Sequence, residues 1–174
     1  TYTQDLLVPE MARQLAAGDR AVLIFDYRGF GSSAGDSEAV RPWDQVEDLR
    51  AAVSYLLGRD EVDTDRLSVL GLSLGGSHAV TVAAIDPRVA AAVAISPAGD
   101  AARLMRGTRD DAEWNEWLAR IDADRIARAQ GRPGETVDAW EIIRPDPASR
   151  EFLDQLYSEY PHLACQLLLE TAAA

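Results

Sequence analysis

The stretch Leu67-Ser68-Val69-Leu70-Gly71-Leu72-Ser73-Leu74-Gly75-Gly76-Ser77-His78-Ala79-Val80 constrains this chain more than any other. An apolar run that reads as a buried strand reaches Gly71, Ser73 follows two residues later, and an Ala/Val-rich helical pattern begins at once. In a strand–turn–helix setting, the spacing G-x-S-x-G is that of a nucleophile elbow, a strained turn that lifts a serine Oγ above the sheet. Such a turn leaves little room beside the serine, so Gly71 and Gly75 are expected to be the positions that tolerate no side chain. The helix that follows directs its first N–H groups and the positive end of its dipole at Ser73, which makes the Leu74 amide the expected donor to an oxyanion. At ordinary glycine frequency the bare pattern arises by chance in roughly one chain in twenty of this length. The flanking strand and helix, and a third glycine at Gly76, therefore carry the argument; the competing reading is a small-residue turn that merely packs helix against strand.

Ahead of this stretch, Leu7, Met11 and Leu15 recur at four-residue spacing and predict a helix over 5–17 that ends at Gly18. Residues 21–26, Ala-Val-Leu-Ile-Phe-Asp, form an apolar run expected of a parallel strand covered on both faces. A glycine-punctuated loop follows, in which Asp26 and Arg28 are expected to pair. Pro42 suits a first helical position, and Trp43, Val46, Leu49, Val53 and Leu56 continue a helical stripe to Gly58. Past the elbow a helix is expected to about Ile85, closed by Asp86-Pro87, and residues 89–95, Val-Ala-Ala-Ala-Val-Ala-Ile, predict a third buried strand. Alternating helices and strands argue for an α/β fold with a parallel sheet. After Ser96-Pro97 the pattern changes. Residues 100–174 show helical spacing only, with Asp146-Pro147 as an N-cap and first turn, and read as an all-helical insertion lying over the end of the sheet.

Composition narrows the function classes. Of 174 residues, 47% are hydrophobic, enough for a packed core. Asp and Glu number 29 against 17 basic residues, all arginine, for a formal charge of −12, which repels phosphate backbones and anionic membranes. Nucleic acid and membrane are therefore not expected partners, and no apolar run reaches the roughly eighteen residues of a spanning helix. The single cysteine, Cys165, reads as a small buried hydrophobe and favours a reducing, cytoplasmic setting. Metal-ligand spacings, a phosphate-cradling G-x-x-x-x-G-K loop and a complete dinucleotide fingerprint are all missing, so no cofactor is expected.

The segments Phe25-Asp26-Tyr27-Arg28-Gly29-Phe30-Gly31-Ser32-Ser33, Val62-Asp63-Thr64-Asp65-Arg66-Leu67 and Gly71-Leu72-Ser73-Leu74-Gly75-Gly76 resemble the α/β-hydrolase superfamily, near its dienelactone-hydrolase and prolyl-oligopeptidase branches. The resemblance covers residues 1–99 as a partial hydrolase core, while 100–174 is similar to the helical cap that many members insert. It implies a partial α/β-hydrolase parallel sheet with flanking helices, Ser73 as nucleophile and the Leu74 N–H in the oxyanion hole. Dienelactone hydrolases proper carry cysteine at the elbow, and the haloalkane-dehalogenase branch carries aspartate; serine at position 73 argues against both chemistries. The implied substrate is a small acyl compound bearing a carboxylic ester, thioester or amide bond, and acyl transfer would use the same nucleophile.

Members carry serine, acid and histidine in that chain order, the last two after later strands. Those strands are not seen here, nor is the His-Gly oxyanion loop, nor the strand that the family places between 21–26 and 67–71. The chain is therefore expected to be an internal piece of a hydrolase, inactive by itself and prone to self-association through exposed sheet edges. A non-catalytic binding module of the same fold is the alternative. Within the chain, His78 lies five residues past Ser73 and is expected to turn away from it. His162 reads as a packing or solvent residue of the helical half. Asp100, just past the third strand, is read as a loop or N-cap residue against the minor alternative of a triad acid. Trp114, Trp117 and Trp140 read as packing residues of the helical half rather than a substrate cage.

Overall fold

The computed structural model describes residues 8–35, 39–161 and 166–173. The chain divides into two compact units, one built on residues 8–35 and 41–99, the other on 39–40 and 100–173. His162 and Cys165 lie outside the described residues.

The first unit opens with α1 (Val8–Ala16) and, after an extended segment and a tight loop, α2 (Pro42–Leu57). Pro42 stands at the start of α2, where its fixed φ suits the helix and its missing N–H costs nothing. Val46 and Val53, seven residues apart, place one stripe of α2 in the core. Trp43 departs from the expected stripe: at 69% exposure it lies off the buried face. A 3-10 turn at Thr64–Arg66, capped by Asp63, leads into β1 (Ser68–Leu72), then α3 (Leu74–Ile85) and β2 (Ala91–Ile95). β1 and β2 pair in parallel, with Leu70 opposite Val93 and Leu72 opposite Ile95. The core beneath them joins Val46 and Val53 of α2 to Leu67, Val69, Ala79, Val82 and Val89. Each fully buried valine there contributes about 1.5–3 kcal/mol.

Two strand expectations fail in this unit. Residues 21–26 join no ladder among the described residues: a strand is defined by hydrogen bonds to a partner strand, and this segment has none there. Of the segment 89–95, expected to be a buried strand, Ala91–Ile95 form β2, and most of β2 is exposed. Since α2 and α3 pack on the Val69 side of the sheet, the other side leaves Leu70 41%, Val93 48% and Ile95 40% exposed. Parallel sheets are normally covered on both faces.

The second unit holds α4 (Ala101–Gly107), α5 (Asp111–Ala129), the short α6 (Ala139–Ile142) and α7 (Pro147–Glu159). α5 starts on a capping box: Asp110 accepts from the Glu113 N–H while Glu113 reaches back to the Asp110 N–H. Asp146 caps α7 ahead of Pro147, as the sequence predicts. The unit is not all-helical. β3 (Thr136–Asp138) pairs antiparallel with β4 (Gln166–Leu168), burying Val137 and Leu167. Three-residue strands leave too little alternation to be read from sequence. Arg109 links three helices, donating from Nη1 to the carbonyls of Met105 at 2.9 Å and Ile142 at 3.1 Å, with its guanidinium 4.4 Å from the Trp117 ring centre. No helix among the described residues is long and apolar enough to cross a membrane.

Candidate active site

Ser73 stands between the end of β1 and the start of α3 with φ +52° and ψ −123°, a conformation that a non-glycine residue holds only at a cost of about 1–3 kcal/mol. Both its backbone polar groups are engaged. Its N–H donates to the Ile95 carbonyl at 2.9 Å, and its own carbonyl accepts from the N–H groups of Gly76 at 2.9 Å and Ser77 at 3.2 Å. The residue is exposed, and its Oγ makes no hydrogen bond among the described residues. The Leu74 N–H, the first of α3, likewise donates to no described acceptor. An exposed hydroxyl on a strained turn thus stands beside an unengaged helix-end amide.

The glycines divide their work differently from the sequence expectation. A Cβ on Gly71 would lie 2.0 Å from the Gly75 carbonyl oxygen and 2.7 Å from the Gly76 nitrogen, so a side chain there cannot be housed. A Cβ on Gly76 would meet the Gly71 oxygen at 3.1 Å and Pro97 Cβ at 3.3 Å. Gly75, expected to be as demanding as Gly71, has nothing within 4 Å of an added Cβ. The close approach is made by the Gly75 carbonyl, and its side-chain direction is open.

The other residues singled out from sequence fall around this turn in part. His78 is buried at 3% exposure, edge-on to Tyr27 with ring centres 5.6 Å apart and Nδ1 3.4 Å from the phenol oxygen. Its Nε2 has no partner among the described residues, and burial holds its pKa below the ordinary histidine value. Tyr27 is pushed up to about 12, by burial first and then by the nearby Asp48 carboxylate. Asp26 and Arg28 do not pair with each other. The Asp26 carboxylate accepts from the Ser32 N–H at 3.1 Å, wrapping the loop so closely that a Cβ on Gly31, at φ +54°, would collide with it. Arg28 turns to α2, donating from its amide and Nε to Asp48 at 3.0 and 2.8 Å. Asp100 caps α4, accepting from the Arg103 N–H at 2.8 Å.

In the second unit, Trp117 is buried with the Arg109 and Arg120 guanidinium groups 4.4 and 5.4 Å from its ring centre. Trp114 lies 6.0 Å from the Arg106 guanidinium. Trp140 donates to the Tyr157 hydroxyl and, with Pro145, Ala148, Phe152 and Leu153, lines a mainly apolar groove. Among the described residues no three His, Cys, Asp or Glu side chains converge as a metal would require.

A family model described as Hydrolase_4, serine aminopeptidase S33, matches residues 7–159. The chain belongs to the Hydrolase_4 family. This Hydrolase_4 chain is 27% identical over 161 residues to the uncharacterized 31.7 kDa protein of the traX-finO intergenic region of Escherichia coli, covering 92% of this chain and 56% of that protein. It is 35% identical over 98 residues to the thiohydrolase apmlB of Arthrinium phaeospermum, covering 56% of this chain and 32% of that one. Its fold matches the crystal structure of the α/β hydrolase GrgF from Penicillium sp. sh18 with a TM-score of 0.76 at 23% identity, over 98% of this chain and 58% of that chain. The fold is thus that of an α/β hydrolase, and this Hydrolase_4 chain spans little more than half the length of the E. coli relative and of GrgF.

Proposed function

We propose that the protein is a serine hydrolase that cleaves a carboxylic ester, thioester or amide bond through an acyl-enzyme on Ser73. The observation that carries this reading is the exposed Ser73 at φ +52°, followed directly by an amide with no described acceptor. The Ser73 Oγ attacks the substrate carbonyl as a histidine takes its proton; the Leu74 N–H helps hold the tetrahedral oxyanion; the leaving group departs protonated, and water then releases the acid. An oxyanion donor in this position contributes about 3–4 kcal/mol to the transition state. His78, buried against Tyr27, is not the base in this reading.

Acyl transfer is the second reading. It is supported by the name of one relative, GrgF, which is called a polyketide transferase, while apmlB is called a thiohydrolase. In both readings the substrate is a small acyl compound.

The test is turnover of short p-nitrophenyl esters and acyl thioesters by the full-length protein and its Ser73→Ala variant, with and without an added alcohol or amine. Loss of at least about a thousand-fold in kcat on Ser73→Ala is expected. Equal turnover by the two proteins would refute the nucleophile assignment, and accumulation of acylated alcohol or amine in place of free acid would select transfer over hydrolysis.

A further inference from the structure

Ser73 is held from outside its own turn by the four residues Ile95–Ala98 that end β2 and leave it. The Ser73 N–H donates to Ile95 O at 2.9 Å, Pro97 stands so near Gly76 that an added Cβ there would lie 3.3 Å from its Cβ, and the Ser77 Oγ donates to Ala98 O at 2.7 Å. Ser77 acts on both sides of the turn at once, since its N–H also donates to the Ser73 carbonyl at 3.2 Å. Between the two accepting carbonyls stands Ser96, at φ +47°. That region is unfavourable for any residue with a Cβ, and the following Pro97 restricts its predecessor further toward extended backbone. A residue kept in such a conformation persists where its surroundings over-determine it, and such positions gather at functional sites. Glycine would occupy position 96 without that strain; a serine there leaves the link between β2 and Pro97 stiffer.

We propose that Ser77 is a positioning residue for Ser73, its hydroxyl fastening the first turn of α3 to the Ala98 carbonyl, with the strained Ser96 as the stiff link that presents the Ile95 and Ala98 carbonyls to the elbow. The proposal rests on the reading of Ser73 as nucleophile. Loosening this brace leaves the substrate site in place and blurs the direction of the Oγ and of the Leu74 N–H, so the chemical step slows while binding is kept.

The experiment follows covalent modification of the full-length protein by a fluorophosphonate, resolved into a saturation constant and a limiting rate, alongside the thermal midpoint. Ser77→Ala is expected to lower the limiting rate about ten-fold or more with the saturation constant within about two-fold, and Ser77→Thr, which keeps a hydroxyl on Cβ, to restore most of it. Ser96→Gly is expected to lower the limiting rate without lowering the thermal midpoint, a combination that a purely structural role does not produce. A folded Ser77→Ala protein modified at the wild-type limiting rate overturns the brace; if that variant does not fold, a wild-type limiting rate in Ser96→Gly does so. Wild-type protein modified no faster than Ser73→Ala defeats the nucleophile reading itself, and the brace falls with it, whereas a reactive wild type with indifferent variants defeats the brace alone.

Discussion

At residue scale, the elbow's tolerance for side chains is set by backbone crowding, and it is unequal. Gly71→Ala drives a Cβ into the Gly75 carbonyl 2.0 Å away and should cost about 3 kcal/mol or more, read as a lower urea midpoint. Gly75→Ala meets open space inside a helix and should raise stability by about 0.5–1 kcal/mol. The opposite ranking would show that the turn is not built as described. The sequence carried the strand, the serine and the need for glycine here, because these are local. It did not distinguish Gly71 from Gly75, since which backbone atom approaches which depends on how β1 and α3 cross. For the same reason it missed Ser77, whose hydroxyl donates to a carbonyl 21 residues further along the chain.

His78 adds a pH dependence at the same scale. Its folded-state pKa lies below the unfolded value near 6.5, so as pH falls through about 6.5 the unfolded chain takes up a proton that the folded chain refuses. Stability is therefore full above that pH, declines below it, and stops declining on this account once the folded pKa is passed. The difference in urea midpoint between pH 7.5 and 5.5 should shrink in a His78→Asn variant; an unchanged difference would mean that the histidine is solvated in the folded state.

At the scale of elements, local pattern located the helices well: α2 from its proline and apolar stripe, α7 from its Asp-Pro start, α3 from the Ala/Val-rich run that follows Ser73. Strands were harder, because a strand is fixed by its partner. Residues 21–26 have the composition of a strand and no ladder partner among the described residues, while β3 and β4 pair with each other and carry almost no pattern. If β3 and β4 do hold the second unit, Leu167→Ala at 1% exposure should cost about 2–5 kcal/mol. Ile126→Ala on α5, at 57% exposure, should cost about 1 kcal/mol or less by the same denaturant series. Equal effects would place Leu167 outside the packed core.

At the scale of the whole molecule, one face of the β1–β2 sheet is packed by α2 and α3 and the other presents Leu70, Val93 and Ile95, in a chain that spans 56% of its E. coli relative. Fold class was legible from the order of elements around a single turn; the limits of the sheet were not, because strand order is a property of pairing across the chain. The proposed chemistry rests on Ser73. The most direct measurement is mass mapping of full-length protein after reaction with a fluorophosphonate. The account predicts one adduct, on the peptide carrying Ser73, absent after unfolding and absent in Ser73→Ala. A folded protein left unmodified at Ser73, or an adduct that survives that substitution, would contradict it.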